Sequence, residues 1–291
     1  MTEPHSRAGS RMDVRASIKR HPLIAFFVLA YVISWILVSP LVLEGLGLTG
    51  QLVPPSWHAF GALGPILSAF IVAGATEGRT GVRELLASLR LWRVGRLWFL
   101  LAVFSPFLLF VVAAAIVVAI GSPGSSIVVI GPAQLTSLGW LVGIVYGIGE
   151  EPGWRGFALP RLQRGRSALT ATLILAVFWF LWHTPYFFYR YELGLGGLVG
   201  IFFGLLTGAI WLTCLYNSTG GSTAMAVLWH TAFNLVNLPE VVSSDVLAAM
   251  SVLVMVAAVA VVIAFGPRTL SPKGKHEGPP FSTAGAVRRV R

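Results

Sequence analysis

Apolar stretches of roughly 20 residues recur along the chain, separated by short polar segments. They lie near residues 22–42, 56–75, 97–120, 136–163, 167–188, 195–216, 220–238 and 243–266. At ~1.5 Å per residue, a helix of that length covers the ~30 Å hydrocarbon core of a bilayer. Backbone N–H and C=O groups in lipid must bond within their own segment, so such runs form helices rather than strands. The pattern therefore predicts an all-α fold, a polytopic transmembrane bundle of about eight spans.

Composition agrees: 56% of residues are apolar, 11% are charged, and mean hydropathy is +0.79. A soluble domain carries about twice that charged share. The net charge of +10 raises the question of nucleic acid, and its distribution answers it. Arg7, Arg11, Arg15, Lys19 and Arg20 precede the first run. Arg79, Arg83, Arg90, Arg93 and Arg96 follow the second, and Arg155, Arg161, Arg164 and Arg166 close the fourth. Arg268, Lys273, Lys275, Arg288, Arg289 and Arg291 follow the last, and only Arg190 falls on the other side. Alternating crossings thus gather the cations on one face, which the positive-inside rule makes cytoplasmic, with both termini there. The expected partners are membrane lipids and a peptide or protein substrate within the membrane, not nucleic acid.

The sequence divides into a basic arm (1–20), a membrane domain (21–266) and a basic tail (267–291) rich in Pro and Gly, expected to be disordered. The first run is too long for a removed signal peptide and reads as a signal anchor. Residues 77–96 set leucines among arginines, the pattern of a short amphipathic helix at the inner surface. The single cysteine, Cys214, excludes a disulfide framework and a cysteine metal cluster. No internal repeat of the kind found in many transporters is visible.

Ionisable residues inside membrane spans are costly and so are functional candidates. Most acids, Glu77 among them, fall in tails or loops, but Glu150 and Glu151 interrupt the fourth run. His183 and His230 lie within the fifth and seventh, and Asn234 shares a helical face with His230. Counted from the inner ends of their runs at ~1.5 Å per residue, Glu150, His183 and His230 reach depths of about 21, 24 and 20 Å. That agreement requires the fourth helix to continue past its glutamates. Glu151 and Arg155 have the favourable i, i+4 order of an ion pair, which leaves Glu150 as the free carboxylate. Pro152 loosens the helix between them. A carboxylate can take a proton from water, imidazoles can bind a metal or polarise a carbonyl, and Asn234 can donate to an oxyanion. Trp154, Trp179, Trp182 and Trp229 lie nearby and are expected to pack or anchor.

These residues resemble the motifs of the CAAX protease and bacteriocin-processing family (also called Abi). The chain carries two glutamates, three variable residues and an arginine (Glu150, Glu151, Arg155). An aromatic four residues before a histidine follows (Trp179, His183), then a histidine four residues before an asparagine (His230, Asn234). Family members usually have Phe where Trp179 stands. The resemblance covers residues 130–240. It implies an eight-span intramembrane endopeptidase that opens to the cytoplasm, here in a prokaryotic plasma membrane, acting on a prenylated or otherwise hydrophobic substrate. It implies Glu150, Glu151, Arg155, His183, His230 and Asn234 as site residues. It leaves the metal open between Zn2+ on His183 and His230 and a glutamate-activated water alone. Two other readings keep the same polar cluster: a non-catalytic immunity or scaffold protein, and a proton-coupled transporter.

Overall fold

The apolar runs are helices in the computed structural model, which describes residues 14–121, 139–190, 194–238 and 241–278. The outer part of the basic arm (1–13), the end of the tail (279–291) and residues 130–138, 191–193 and 239–240 of the expected core lie outside the described residues. A short α1 (Val14–Arg20) leads into α2 (Pro22–Gly45), a 3-10 segment (Pro55–Ala62), α3 (Leu63–Leu89) and α4 (Arg96–Ala119). Helix α5 (Gly139–Glu151) runs through a π-helical turn (Pro152–Ala158) into α6 (Leu159–Gln163). The chain continues with α7 (Ala168–Trp182), a 3-10 segment (Thr184–Phe188), α8 (Leu195–Ser218), α9 (Thr223–Val236) and α10 (Ser244–Thr269). No strand occurs among the described residues.

Among the described residues, six segments are long and apolar enough to cross a membrane: Pro22–Gly45, Pro55–Leu89, Arg96–Ala119, Ala168–Phe188, Leu195–Ser218 and Ser244–Thr269. The two remaining runs are also helical. One is α9, shorter at 14 residues, and the other is the α5–α6 unit, whose apolar pattern the glutamates break. Outward faces carry apolar side chains such as Ile24, Ile36, Leu108 and Ile263, each more than half exposed. Surfaces of this kind are costly in water and suited to lipid.

Three glycines set the position of the α5–α6 unit. A Cβ at Gly149 would fall 2.5 Å from the carbonyl oxygen of Ala62, and one at Gly153 2.6 Å from Pro65. A Cβ at Gly147 would collide with the Thr231 hydroxyl. The unit is therefore clasped by the start of α3 on one side and by α9 on the other, closer than any larger residue allows.

Residues 79–89 form a short helix set off from the first part of α3 by a break at Gly78 (φ 64°, ψ −145°), in keeping with the helix expected there. Two other expectations change. Glu77 is no loop residue: its Oε1 accepts from Arg161 Nη2 at 2.7 Å, with both side chains nearly buried. The tail is not loose from its start either. Lys275 Nζ donates to the carbonyls of Gln163 and Arg166, each at 2.9 Å, and the His276 amide donates to Asn217 Oδ1 at 3.0 Å. Polar partners on α6 and α8 offset the flexibility that the composition suggests.

The bundle has two distinct ends. At one, Ser222 Oγ donates to the Leu91 carbonyl at 2.6 Å, tying the α8–α9 turn to the α3–α4 loop, and the tail joins the α6–α7 turn. At the other, Tyr146 of α5 donates to the His58 carbonyl at 3.1 Å, and His58 Nδ1 pairs with the Tyr189 hydroxyl at 2.6 Å.

Candidate active site

Pro152 has no amide hydrogen to continue the α ladder, and the helix widens into a π turn over Pro152–Ala158. The glutamates stand at the last α-helical positions before it. Glu150 Oε2 accepts from Trp154 Nε1 at 3.0 Å and from Trp179 Nε1, on α7, at 2.7 Å. Both indoles converge on one oxygen and fix the carboxylate plane. Glu151 turns the other way: its Oε1 accepts from Arg155 Nη1 at 2.9 Å and from His230 Nδ1 at 2.7 Å. Glu151 and Arg155 are completely buried, so this is a shielded ion pair with little competition from water.

Trp179 joins the parts. Besides donating to Glu150, its ring lies 4.6 Å from the Arg155 guanidinium carbon and meets the His230 ring edge to face at 5.7 Å. Its carbonyl lies 2.7 Å from His183 Nδ1, at the C-terminus of α7. A carbonyl and a carboxylate only accept, so Nδ1 is the protonated nitrogen in both His183 and His230. Each histidine is left with Nε2 for other work.

A cavity of about 510 Å³ opens beside these groups, lined by Glu150, Trp179, His183, His230 and Asn234. Four of the six sequence candidates therefore face one space, while Glu151 and Arg155 stand behind it. His58, Tyr146 and Tyr186 line the cavity as well. The His58 ring packs 4.3 Å from that of Tyr186 and 5.2 Å from that of Tyr146. Sequence reasoning misses these three, because nothing in local spacing ties a residue near the start of α3 to one in α5. Trp154 and Trp179 pack in the core as expected, and their indole N–H groups have a second role at Glu150 that the expectation did not include. Their placement four residues from Glu150 and from His183 is the available signal.

No group of three His, Cys, Asp or Glu side chains among the described residues stands close enough to share a metal ion. A catalytic zinc site takes three protein ligands and one open position. His183 and His230 supply two suitable nitrogens, so this donor set does not fit such a site.

Comparison with known proteins bears on the same region. Residues 132–236 match the sequence family described as Rce1-like, type II CAAX prenyl endopeptidase. The chain is 32% identical over 93 residues to a protein of Methanococcus maripaludis named CAAX prenyl protease 2. That match covers 30% of this chain and 34% of the relative, so it concerns about a third of each protein.

Proposed function

We propose, from the match of residues 132–236 to the Rce1-like family, that this chain is an intramembrane endopeptidase. Its substrate is a membrane-associated peptide with a hydrophobic anchor, such as a prenylated chain. The observation that carries the reading is the convergence of Glu150, His183, His230 and Asn234 on one cavity, with Glu150 held through a single oxygen.

The chemistry follows from that arrangement. With Oε2 occupied by two indoles, Oε1 of Glu150 takes a proton from a water molecule, and the resulting hydroxide attacks the scissile carbonyl. Nε2 of His183 and of His230 accept hydrogen bonds and so orient the water and the substrate amide. Asn234 donates to the oxygen that becomes negative in the tetrahedral intermediate. The C–N bond then breaks as Glu150 returns its proton to the departing amine. Glu151 and Arg155 touch no substrate: they hold the His230 ring in one tautomer and one orientation.

Purified protein and a quenched library of prenylated and unprenylated peptides test the reading. The intact chain is expected to cleave, and Glu150→Ala, His183→Ala and His230→Ala each to lose about 100-fold or more. Undiminished cleavage in all three variants would sink the assignment. Prolonged chelation is expected to leave cleavage intact, and a loss that zinc reverses would overturn the metal-free mechanism.

A further inference from the structure

Along α8 and α10 the candidate active site leads towards a second space. Beyond His230 and Asn234 the first cavity follows Gly204, Leu205 and Gly208 of α8 and Ser251 and Val254 of α10. Nothing lies within 4 Å of a notional Cβ at Gly204 or Gly208, so α8 leaves this flank open. A crevice of about 220 Å³ adjoins it at Trp229 and Val254, which line both spaces. Leu108, Leu109 and Val112 of α4, Trp211 of α8, and Leu253 and Ala257 of α10 form its other walls. Among the described residues, no polar atom shows on those walls. The Ser105 hydroxyl beside them accepts from Trp229 Nε1 at 2.9 Å and donates to the Leu101 carbonyl at 2.6 Å. Trp229 is a fixed partition, stacked on Phe233 with ring centres 4.9 Å apart. The crevice thus starts one residue before His230, while Leu108 and Val112 are exposed on the outer face of the bundle.

A space of this kind takes hydrocarbon and nothing that needs a hydrogen bond. Its place beside His230 says whose hydrocarbon. We propose that the crevice seats the hydrocarbon anchor of the substrate: the peptide lies in the first cavity, and its attached chain follows the α8–α10 seam past Val254. A chain left in the first cavity would lie against Glu150, His183 and Asn234 and the water they hold, which is costly for apolar surface. In the crevice it meets carbon, and at Leu108 and Val112 it reaches the bilayer. Lipid tails are as apolar as these walls, so the crevice gains little over the membrane interior. It therefore acts by position rather than by affinity, leading the chain out of the polar site. That the anchored molecule is a substrate rests on the endopeptidase reading; the seating of the chain does not.

Photo-crosslinking tests it. The full-length chain, carrying Glu150→Ala to prevent turnover, is reconstituted in phospholipid vesicles. It is given a peptide S-farnesylated on cysteine, with a diazirine at the far end of the farnesyl chain. Light-induced label, mapped by mass spectrometry, is expected within 108–112 and 253–257. Excess unlabelled farnesyl peptide is expected to cut that label tenfold or more. Ala257→Phe and Val112→Phe, which fill the crevice from two sides, are each expected to do the same, and the pair guards against one variant that does not fold. Label confined to other parts of the protein overturns the proposal, as does label undiminished in both filled variants. Label in the crevice that excess peptide does not displace assigns it to a bilayer tail and overturns the proposal too. Crosslinking needs no cleavage. A protein that labels as expected but hydrolyses no peptide fails the endopeptidase reading alone, and one that cleaves but labels elsewhere fails the seating alone.

Discussion

Among single side chains, Trp179 carries more of the site than its apolar neighbourhood suggests. It holds the candidate base, packs on the guanidinium behind the site and places His183 through its carbonyl. A Phe at this position, as the family usually has, keeps the ring and loses the N–H. Hydrogen bonds to charged groups contribute about 1.5–3 kcal/mol. Trp179→Phe is therefore expected to lower kcat tenfold or more with little change in KM, while the thermal midpoint barely moves; steady-state kinetics beside a melting curve read both. The Glu151–Arg155 pair behaves differently. Removing one partner of a buried pair costs about 3–5 kcal/mol, because the other charge is stranded. Arg155→Met is thus expected to destabilise the protein strongly. Glu151→Gln combined with Arg155→Met recovers much of that stability but leaves cleavage low, since His230 loses its anchor; chemical denaturation separates the three proteins. The sequence makes the pair legible through its i, i+4 spacing. It cannot show that His230 joins Glu151 rather than Glu150, because that contact depends on how α9 is rotated against α5.

At the scale of the helix, the glycines of the α5–α6 unit divide from those of α8 in what surrounds them. Gly149 and Gly153 touch backbone of the Ala62–Pro65 segment, whereas Gly196 and Gly200 have open space around a notional Cβ. Gly149→Val forces two segments apart and is expected to cost about 1–3 kcal/mol or more. Gly200→Ala is expected to be neutral or to stabilise by up to about 1 kcal/mol through reduced backbone freedom. Parallel thermal melts in one detergent test both, and equal midpoints would contradict the clasp. Helix positions are largely readable from apolar runs, since the bilayer fixes their minimum length. Where reading fails, the cause is a specific pairing: Glu77 looks like a loop acid until Arg161, 84 residues away, is placed beside it. The break at Gly78, by contrast, falls where the apolar run gives way to leucines set among arginines.

Across the whole molecule, the docked tail adds a response to pH. His276 lies half buried beside Tyr216 (rings 5.6 Å apart), and burial pulls its imidazole below the usual value of 6.5. The docked tail therefore favours the neutral ring, and a released tail binds protons more readily. Docking is expected to be complete above pH 6.5 and to weaken as pH falls below it. Hydrogen exchange of residues 270–278 at pH 7.5 and 5.0 measures this, and His276→Phe should remove the difference. Composition marks the tail as disordered because composition reports flexibility, whereas docking rests on Gln163 and Asn217 being placed to meet it. Counting residues along the apolar runs is enough to bring Glu150, His183 and His230 to one level. The π turn at Pro152–Ala158, finally, is a place where chain length has slack. A π turn holds one residue more than an α turn. Deleting one residue there lets the turn close to α geometry with the helices on either side kept near their places, whereas the same deletion within α7 would rotate everything beyond it by about 100° about the helix axis.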